Sequence, residues 1–204
     1  MESGDLFYLI DVLSVFTGAL AGALVACRFQ FDITGLFVLA LVSGLGGGFI
    51  RDVLIASGPP LSLTEPAYLP TVMLATLISA ILGSRIDRLQ RVILLIDALA
   101  LANYAVAGSL RALDAGMNST ATMLLGVITA VGGGLLREVL TGQTPTIFRR
   151  SEFYALAALG TCIAVLLMHG IDAPRSLTFL VGIACGMFLR LGSLRWGWQS
   201  WQPR

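Results

Sequence analysis

The chain has 204 residues, 56% of them hydrophobic and 12% charged, with a formal net charge of +1 and a mean hydropathy of +0.87. Soluble domains carry about 25% charged residues, so this composition excludes a single water-coated globule. It also excludes intrinsic disorder, which requires low hydrophobicity and high charge, and a nucleic-acid partner, which requires a basic face.

Seven stretches have the roughly 20-residue apolar length of a bilayer-spanning helix: 6–27, 33–57, 67–84, 92–113, 119–143, 152–170 and 175–192. The reading is one all-α membrane domain over 1–204. The first span carries Asp11 and Gly18-x-x-x-Gly22, a spacing suited to close helix packing. It follows an acidic Met1-Glu2-Ser3-Gly4-Asp5 start, without the basic stretch of a signal peptide, so it is expected to be retained. The second carries Gly46-Gly47-Gly48 followed by Arg51 and Asp52, and stops before Pro59-Pro60. The third begins at Tyr68 and closes in the arginines of 85–91. The fourth carries Asp97 and closes at 114–118. The fifth carries Gly132-Gly133-Gly134, then Arg137 and Glu138, and stops before Pro145. The sixth begins near Tyr154 and ends near His169, the lone histidine. The seventh runs into a tail in which Trp196, Trp198 and Trp201 alternate with Arg195 and polar residues, a pattern of interfacial anchoring. Cys27, Cys162 and Cys185 are far apart in apolar stretches and read as packing residues, with no disulfide frame.

All 13 basic residues are arginine. On the side of the membrane that bears the C-terminus lie nine: Arg28, Arg85, Arg88, Arg91, Arg149, Arg150, Arg190, Arg195 and Arg204. On the other side lie two, Arg111 and Arg175. The positive-inside rule then places the C-terminus in the cytoplasm and the N-terminus outside.

One offset of 86 residues runs through the chain. It superposes Gly46-Gly47-Gly48-Phe49-Ile50-Arg51-Asp52-Val53-Leu54 on Gly132-Gly133-Gly134-Leu135-Leu136-Arg137-Glu138-Val139-Leu140. It also pairs Asp11 with Asp97, Gly22 with Gly108, Pro59 with Pro145 and Tyr68 with Tyr154. The repeats are 6–84 and 92–170, and 175–192 is the extra helix. Three spans per repeat insert the second copy upside down, the arrangement of many transporters and channels with a working site near the midplane.

Three adjacent glycines weaken a helix by about 1 kcal/mol each, and irregular backbone survives in lipid only where protein or a watery cavity satisfies it. Kinked or broken helices are therefore expected at Gly46, Gly47, Gly48 and at Gly132, Gly133, Gly134. Close packing through small residues is the competing explanation. Arg51 and Arg137 lie inside spans, where an arginine costs at least about 2.5 kcal/mol without a partner or water. Neighbours at i and i+1 do not face each other on a helix, so Asp52 and Glu138 are not the expected partners. Asp11 and Asp97 share the depths of Arg51 and Arg137, and two symmetry-related Asp–Arg pairs flanking a pathway are expected.

Two three-helix repeats, each with Gly-Gly-Gly-x-x-Arg-[Asp/Glu]-x-Leu, and a seventh helix resemble the prokaryotic trimeric intracellular cation (TRIC) channels, whose repeat is also labelled a glycine transporter domain. The resemblance implies a homotrimer in a prokaryotic plasma membrane, with one pore per subunit lined by the second and fifth helices. It implies passage of monovalent cations, potassium and also sodium, with no cofactor. It assigns the pore to Arg51, Asp52, Arg137, Glu138 and the two glycine triplets, with Arg137 as a constriction. A carrier of glycine or another small zwitterion is the alternative, with Arg51 holding a carboxylate and Asp11 an amine. An enzyme is not expected: the sequence has no His-Glu-x-x-His and no Gly-x-Ser-x-Gly.

Overall fold

The computed structural model describes residues 3–83, 90–148 and 153–198. Arg85, Arg88, Arg149, Arg150, Arg204 and Trp201 lie outside the described residues. Among the described residues there is no strand. The helices are α1 (Ser3–Arg28), α2 (Ile33–Ile55), a single turn α3 (Leu61–Thr64), α4 (Tyr68–Leu82), α5 (Gln90–Asp114), α6 (Ser119–Leu140), α7 (Ala155–Gly170) and α8 (Arg175–Trp196). A 3-10 turn, Thr146–Phe148, precedes α7 as α3 precedes α4.

The boundaries have local causes. Asp32 caps α2 by accepting the Gly35 N–H at 2.7 Å, and Asn118 caps α6 by accepting the Ala121 N–H at 2.9 Å. These two caps stand 86 residues apart, and each satisfies an N–H with no partner inside its helix. Pro174 precedes α8, and Gly197, in the left-handed conformation at φ 65°, ends it. Nothing before Gly197 interrupts the helical pattern, so α8 continues past the expected 192.

α1 and α5 form the enclosed centre. Their inner faces are alanine-rich: Ala19, Ala23 and Ala26 in α1, Ala98, Ala102 and Ala105 in α5. Small residues let backbones approach closely where lipid offers no hydrophobic drive to associate. One cluster joins Val15, Ala19, Tyr68 and Val72. Another joins Leu101, Ala105, Tyr154 and Ala158, each 86 residues on from its counterpart. Outward faces carry Val53, Leu69, Met73, Leu77, Leu124, Leu167 and Phe188, all exposed. In water such faces would associate; in a bilayer they meet acyl chains. Among the described residues, five helices, α1, α2, α5, α6 and α8, are long and apolar enough to cross a membrane. The chain is a multipass membrane protein.

The triple glycines do not break their helices. α2 and α6 run unbroken through 46–48 and 132–134. The reason is the crossing of these two helices. A Cβ built on Gly47 would lie 2.2 Å from the Thr129 carbonyl oxygen, and one on Gly133 would lie 2.2 Å from the Ser43 carbonyl oxygen. Gly47 and Gly133 are repeat equivalents, as are Ser43 and Thr129, so the contact is reciprocal. Glycine is required there because one helix backbone presses on the other.

Candidate functional site

The predicted polar residues gather into two clusters between α1, α2, α5 and α6. In the first, the Arg51 guanidinium reaches Asp11 and Asp52. Nη1 donates to Asp11 Oδ1 at 3.4 Å, and Nε donates to Asp52 Oδ1 at 2.8 Å. The Tyr68 hydroxyl donates to the other oxygen of Asp11. Arg51 is 1% exposed, and Asp11, Asp52 and Tyr68 are buried with it. Asp52 therefore does pair with its neighbour, against the sequence expectation. The arginine is long enough to curl along its own helix, so its Nε reaches a carboxylate that the Cβ directions alone would place out of range. The other Asp52 oxygen accepts the Leu61 N–H at 2.9 Å and fixes the first turn of α3.

In the second cluster, Arg137 Nη2 donates to Asp97 Oδ1 at 2.8 Å. Glu138, the counterpart of Asp52, takes both the N–H and the hydroxyl of Thr146 at 2.5 Å. It thus ties the turn Thr146–Phe148 to the end of α6. Tyr154 sits where the repeat places it, under the Arg190 guanidinium, whose Cζ is 4.9 Å from the ring centroid. Arg190, expected on the C-terminal side of the membrane near the end of the seventh span, is inside α8 and 4% exposed.

The clusters differ in their access to solvent. Asp11, Arg51, Asp52 and Tyr68 border a cavity of about 10 Å³, room for about one water. Asp97, Arg137 and Tyr154 border another of about 10 Å³. Asp97 and Arg137 also face a vestibule of about 440 Å³ lined in addition by Arg28, Glu138, Thr146 and Arg190. Of the glycines, Gly47 and Gly133 hold the crossing, and a Cβ built on Gly132 would lie 3.1 Å from the Gly47 Cα. Gly46 faces Leu136, Gly48 faces Arg51, and Gly134 faces the Tyr154 hydroxyl. No group of three or more His, Cys, Asp or Glu able to hold a metal ion is found among the described residues.

Sequence reasoning missed Arg28, Arg190, Thr146 and Tyr104. Tyr104 stands between the two cavities and lines both. The one sequence signal for it was a failed repeat match, since its counterpart 86 residues earlier is Gly18.

A family model described as "Glycine transporter" matches residues 8–84 and again 94–170. The chain is 35% identical over 190 residues to a UPF0126 membrane protein of Deinococcus radiodurans, covering 91% of this chain and 86% of that one. It is 31% identical over 193 residues to the UPF0126 inner membrane protein YadS of Escherichia coli K12, covering 94% and 93%. Among solved structures it is similar to a TRIC trimeric intracellular cation channel orthologue from Rhodobacter sphaeroides, with a TM-score of 0.89, 35% identity, and coverage of 95% of this chain and 99% of that one. A second structure, of a TRIC cation channel studied for conductance, aligns with a TM-score of 0.86 and 27% identity, covering 97% of each chain.

Proposed function

This chain belongs to the prokaryotic TRIC family, built on the glycine transporter repeat, and from that membership we propose that it is a monovalent cation channel of a bacterial inner membrane. It passes potassium and also sodium, through one pore in each subunit of a homotrimer. The observation that carries the reading is the column of polar groups between α1, α2, α5 and α6: two buried Asp–Arg clusters 86 residues apart, the second opening to the 440 Å³ vestibule. Arg137, at the floor of that vestibule, is the constriction. Asp97, Glu138, Asp11 and Asp52 supply the negative charge that offsets the arginines.

The chain crosses the membrane seven times in this reading, as two inverted three-helix repeats, 6–84 and 92–170, with α8 added. α4 and α7, with 15 and 16 residues, are shorter than the others. At 1.5 Å per residue they reach about 22–24 Å, and a modest local thinning of the bilayer accommodates them. Their equivalent places in the two repeats and the reciprocal Gly47–Gly133 crossing support the inversion. The arginine bias puts the vestibule on the cytoplasmic side with the C-terminus, and the N-terminus outside.

The test is current across a planar bilayer holding purified protein under a potassium chloride gradient. Discrete unitary steps reversing near the potassium potential are expected, with the step size changed in Arg137→Ala. Absence of steps together with saturable uptake of labelled glycine into vesicles would overturn the channel in favour of the carrier.

A further inference from the structure

The two repeats are unlike at their centre. Position 18 is glycine, and its counterpart at 104 is tyrosine. Gly18 and Tyr104 face each other: a Cβ on Gly18 would lie 2.7 Å from the Tyr104 hydroxyl oxygen and 2.8 Å from its Cε2. The ring therefore lies in the groove that the missing side chain leaves. Its hydroxyl donates to the carbonyl of Gly44, near the middle of α2. Tyr104 is near the middle of α5, seven residues beyond Asp97, as Gly18 is seven beyond Asp11. At 1.5 Å per residue, each acidic residue lies about 10 Å from this level along its helix.

The buried spaces form a series, and the ring of Tyr104 separates its two enclosed cavities. The vestibule shares Asp97 and Arg137 with the second cavity. The second cavity shares Tyr104 with the first, which holds Asp11 and Arg51. Tyr104 is 4% exposed and the only described residue on the border of both cavities.

We propose that Tyr104 is the central gate of the pathway, a phenol latched shut on the Gly44 carbonyl and seated against Gly18. This rests on the channel reading above. When the ring swings out, the two cavities join, and the Gly44 carbonyl exchanges the phenolic proton for a passing cation. Carbonyl oxygens are the groups cation pathways use to replace hydration. The latch and the ligand are thus one atom.

Two measurements on the full-length protein test this. In planar bilayers, Tyr104→Phe removes the latch and keeps the ring, so open probability rises while unitary conductance is unchanged. Tyr104→Ala removes the barrier, so unitary conductance itself rises. Gly18→Ala crowds the ring out of its seat and acts in the direction of Tyr104→Phe. The second measurement needs no current. Val15→Cys, on the first cavity, is placed in a chain with Cys27, Cys162 and Cys185 replaced by Ala, and silver ion is applied from the vestibule side of membrane vesicles. The thiol is then scored by loss of maleimide labelling after denaturation. Its reaction is expected to quicken by about tenfold or more in Tyr104→Ala, a loss of about 1.4 kcal/mol of barrier. A wild-type protein with unitary steps, unaltered by any of the three substitutions, overturns the gate and leaves the channel standing. A wild-type protein without steps overturns the channel. In that case an equal silver rate in wild type, Phe and Ala overturns the barrier as well. Should Tyr104→Ala fail to fold, Tyr104→Phe and Gly18→Ala decide the matter in both assays.

Discussion

The two glycine triplets give a prediction whose sign depends on position. Replacing glycine by alanine inside a helix stabilises it by about 1 kcal/mol through helix propensity. At Gly48 little opposes that gain, because the new Cβ would meet only Arg51 Nη2 at 3.7 Å, an ordinary contact. At Gly47 the new Cβ would sit 2.2 Å from the Thr129 carbonyl oxygen. Reaching ordinary contact at 3.4 Å requires the two helices to part by about 1.2 Å. The obstructing atom is backbone, so no rotamer change relieves it. Overpacking of a tight interior costs about 1–3 kcal/mol, and this site belongs at the upper end. Gly47→Ala is therefore expected to lose about 2 kcal/mol net and Gly48→Ala to gain up to about 1 kcal/mol. That difference of about 3 kcal/mol is roughly a hundredfold in the unfolding equilibrium. Detergent-solubilised protein titrated with sodium dodecyl sulfate, followed by far-ultraviolet circular dichroism, reads it directly. Gly133→Ala, facing the Ser43 carbonyl at 2.2 Å, is expected to repeat the Gly47→Ala result. If Gly48→Ala is as harmful as Gly47→Ala, the glycines serve flexibility rather than contact, and the packing argument fails.

Four further outcomes are expected. Asp11→Ala leaves the 1%-exposed Arg51 with Asp52 alone and should cost about 2–3 kcal/mol, below the usual 3–5 for a fully broken buried pair; Asp97→Ala, beside the vestibule, should cost about 1 kcal/mol in the same titration, and equal losses would contradict the difference in solvent access. Glu138→Ala removes the carboxylate that accepts the Thr146 N–H and hydroxyl and should cost about 1–3 kcal/mol, with Glu138→Gln nearer neutral; no difference between them would refute the tie. Asp114→Asn breaks the exposed contact of Arg175 with Asp114 and should change stability by less than about 1 kcal/mol, an effect that shrinks further in high salt. Arg28 is exposed at the vestibule, so Arg28→Gln should raise potassium conductance at low salt and leave it unchanged at high salt; a salt-independent change would show that Arg28 acts through structure rather than field.

Span starts and depth are legible in the sequence because they depend on local chemistry. Asp32 and Asn118 cap helices where apolar runs begin, and Pro174 precedes α8, whose end lies beyond the expected 192. Equal depth brings Asp11 toward Arg51 and Asp97 toward Arg137, each across 40 residues, and the side chains meet. Of the expected kinks or breaks at the glycines, the breaks are absent, because a triple glycine reads alike whether it yields or is pressed upon. The deciding atoms, the carbonyls of Thr129 and Ser43, belong to another helix. Asp52 was set aside by a rule about Cβ directions, which says little about the far end of an arginine. Arg190 reads in the sequence as one more arginine on the C-terminal side, because the Tyr154 ring that it covers belongs to another segment. Tyr104 was invisible for the opposite reason: it is one aromatic in an apolar run, and its meaning comes from the glycine that faces it.

The choice between a channel and a zwitterion carrier turns on space and on the state of the arginines. A carrier needs a chamber that encloses an amino acid and an arginine free to grip its carboxylate. Beside Arg51 the enclosed space holds about one water, and the second enclosed cavity, beside Arg137, is no larger. Both guanidiniums already hold carboxylates of the chain itself, Asp11 and Asp52 for Arg51 and Asp97 for Arg137. A substrate carboxylate would have to displace these, stranding a buried aspartate at each step. A cation makes no such demand. It is of the size the cavities hold, and it needs only oxygen atoms in series: the carboxylates of Asp97 and Asp11, with the Gly44 carbonyl between them. The arginines then neutralise carboxylates that would otherwise bind a cation too tightly to release it, and conduction requires sites that let go as readily as they hold. On this account, Arg51→Gln should impair cation release rather than abolish substrate recognition. Potassium current that saturates at lower concentration in the variant supports the channel, whereas glycine uptake abolished by the same substitution refutes it.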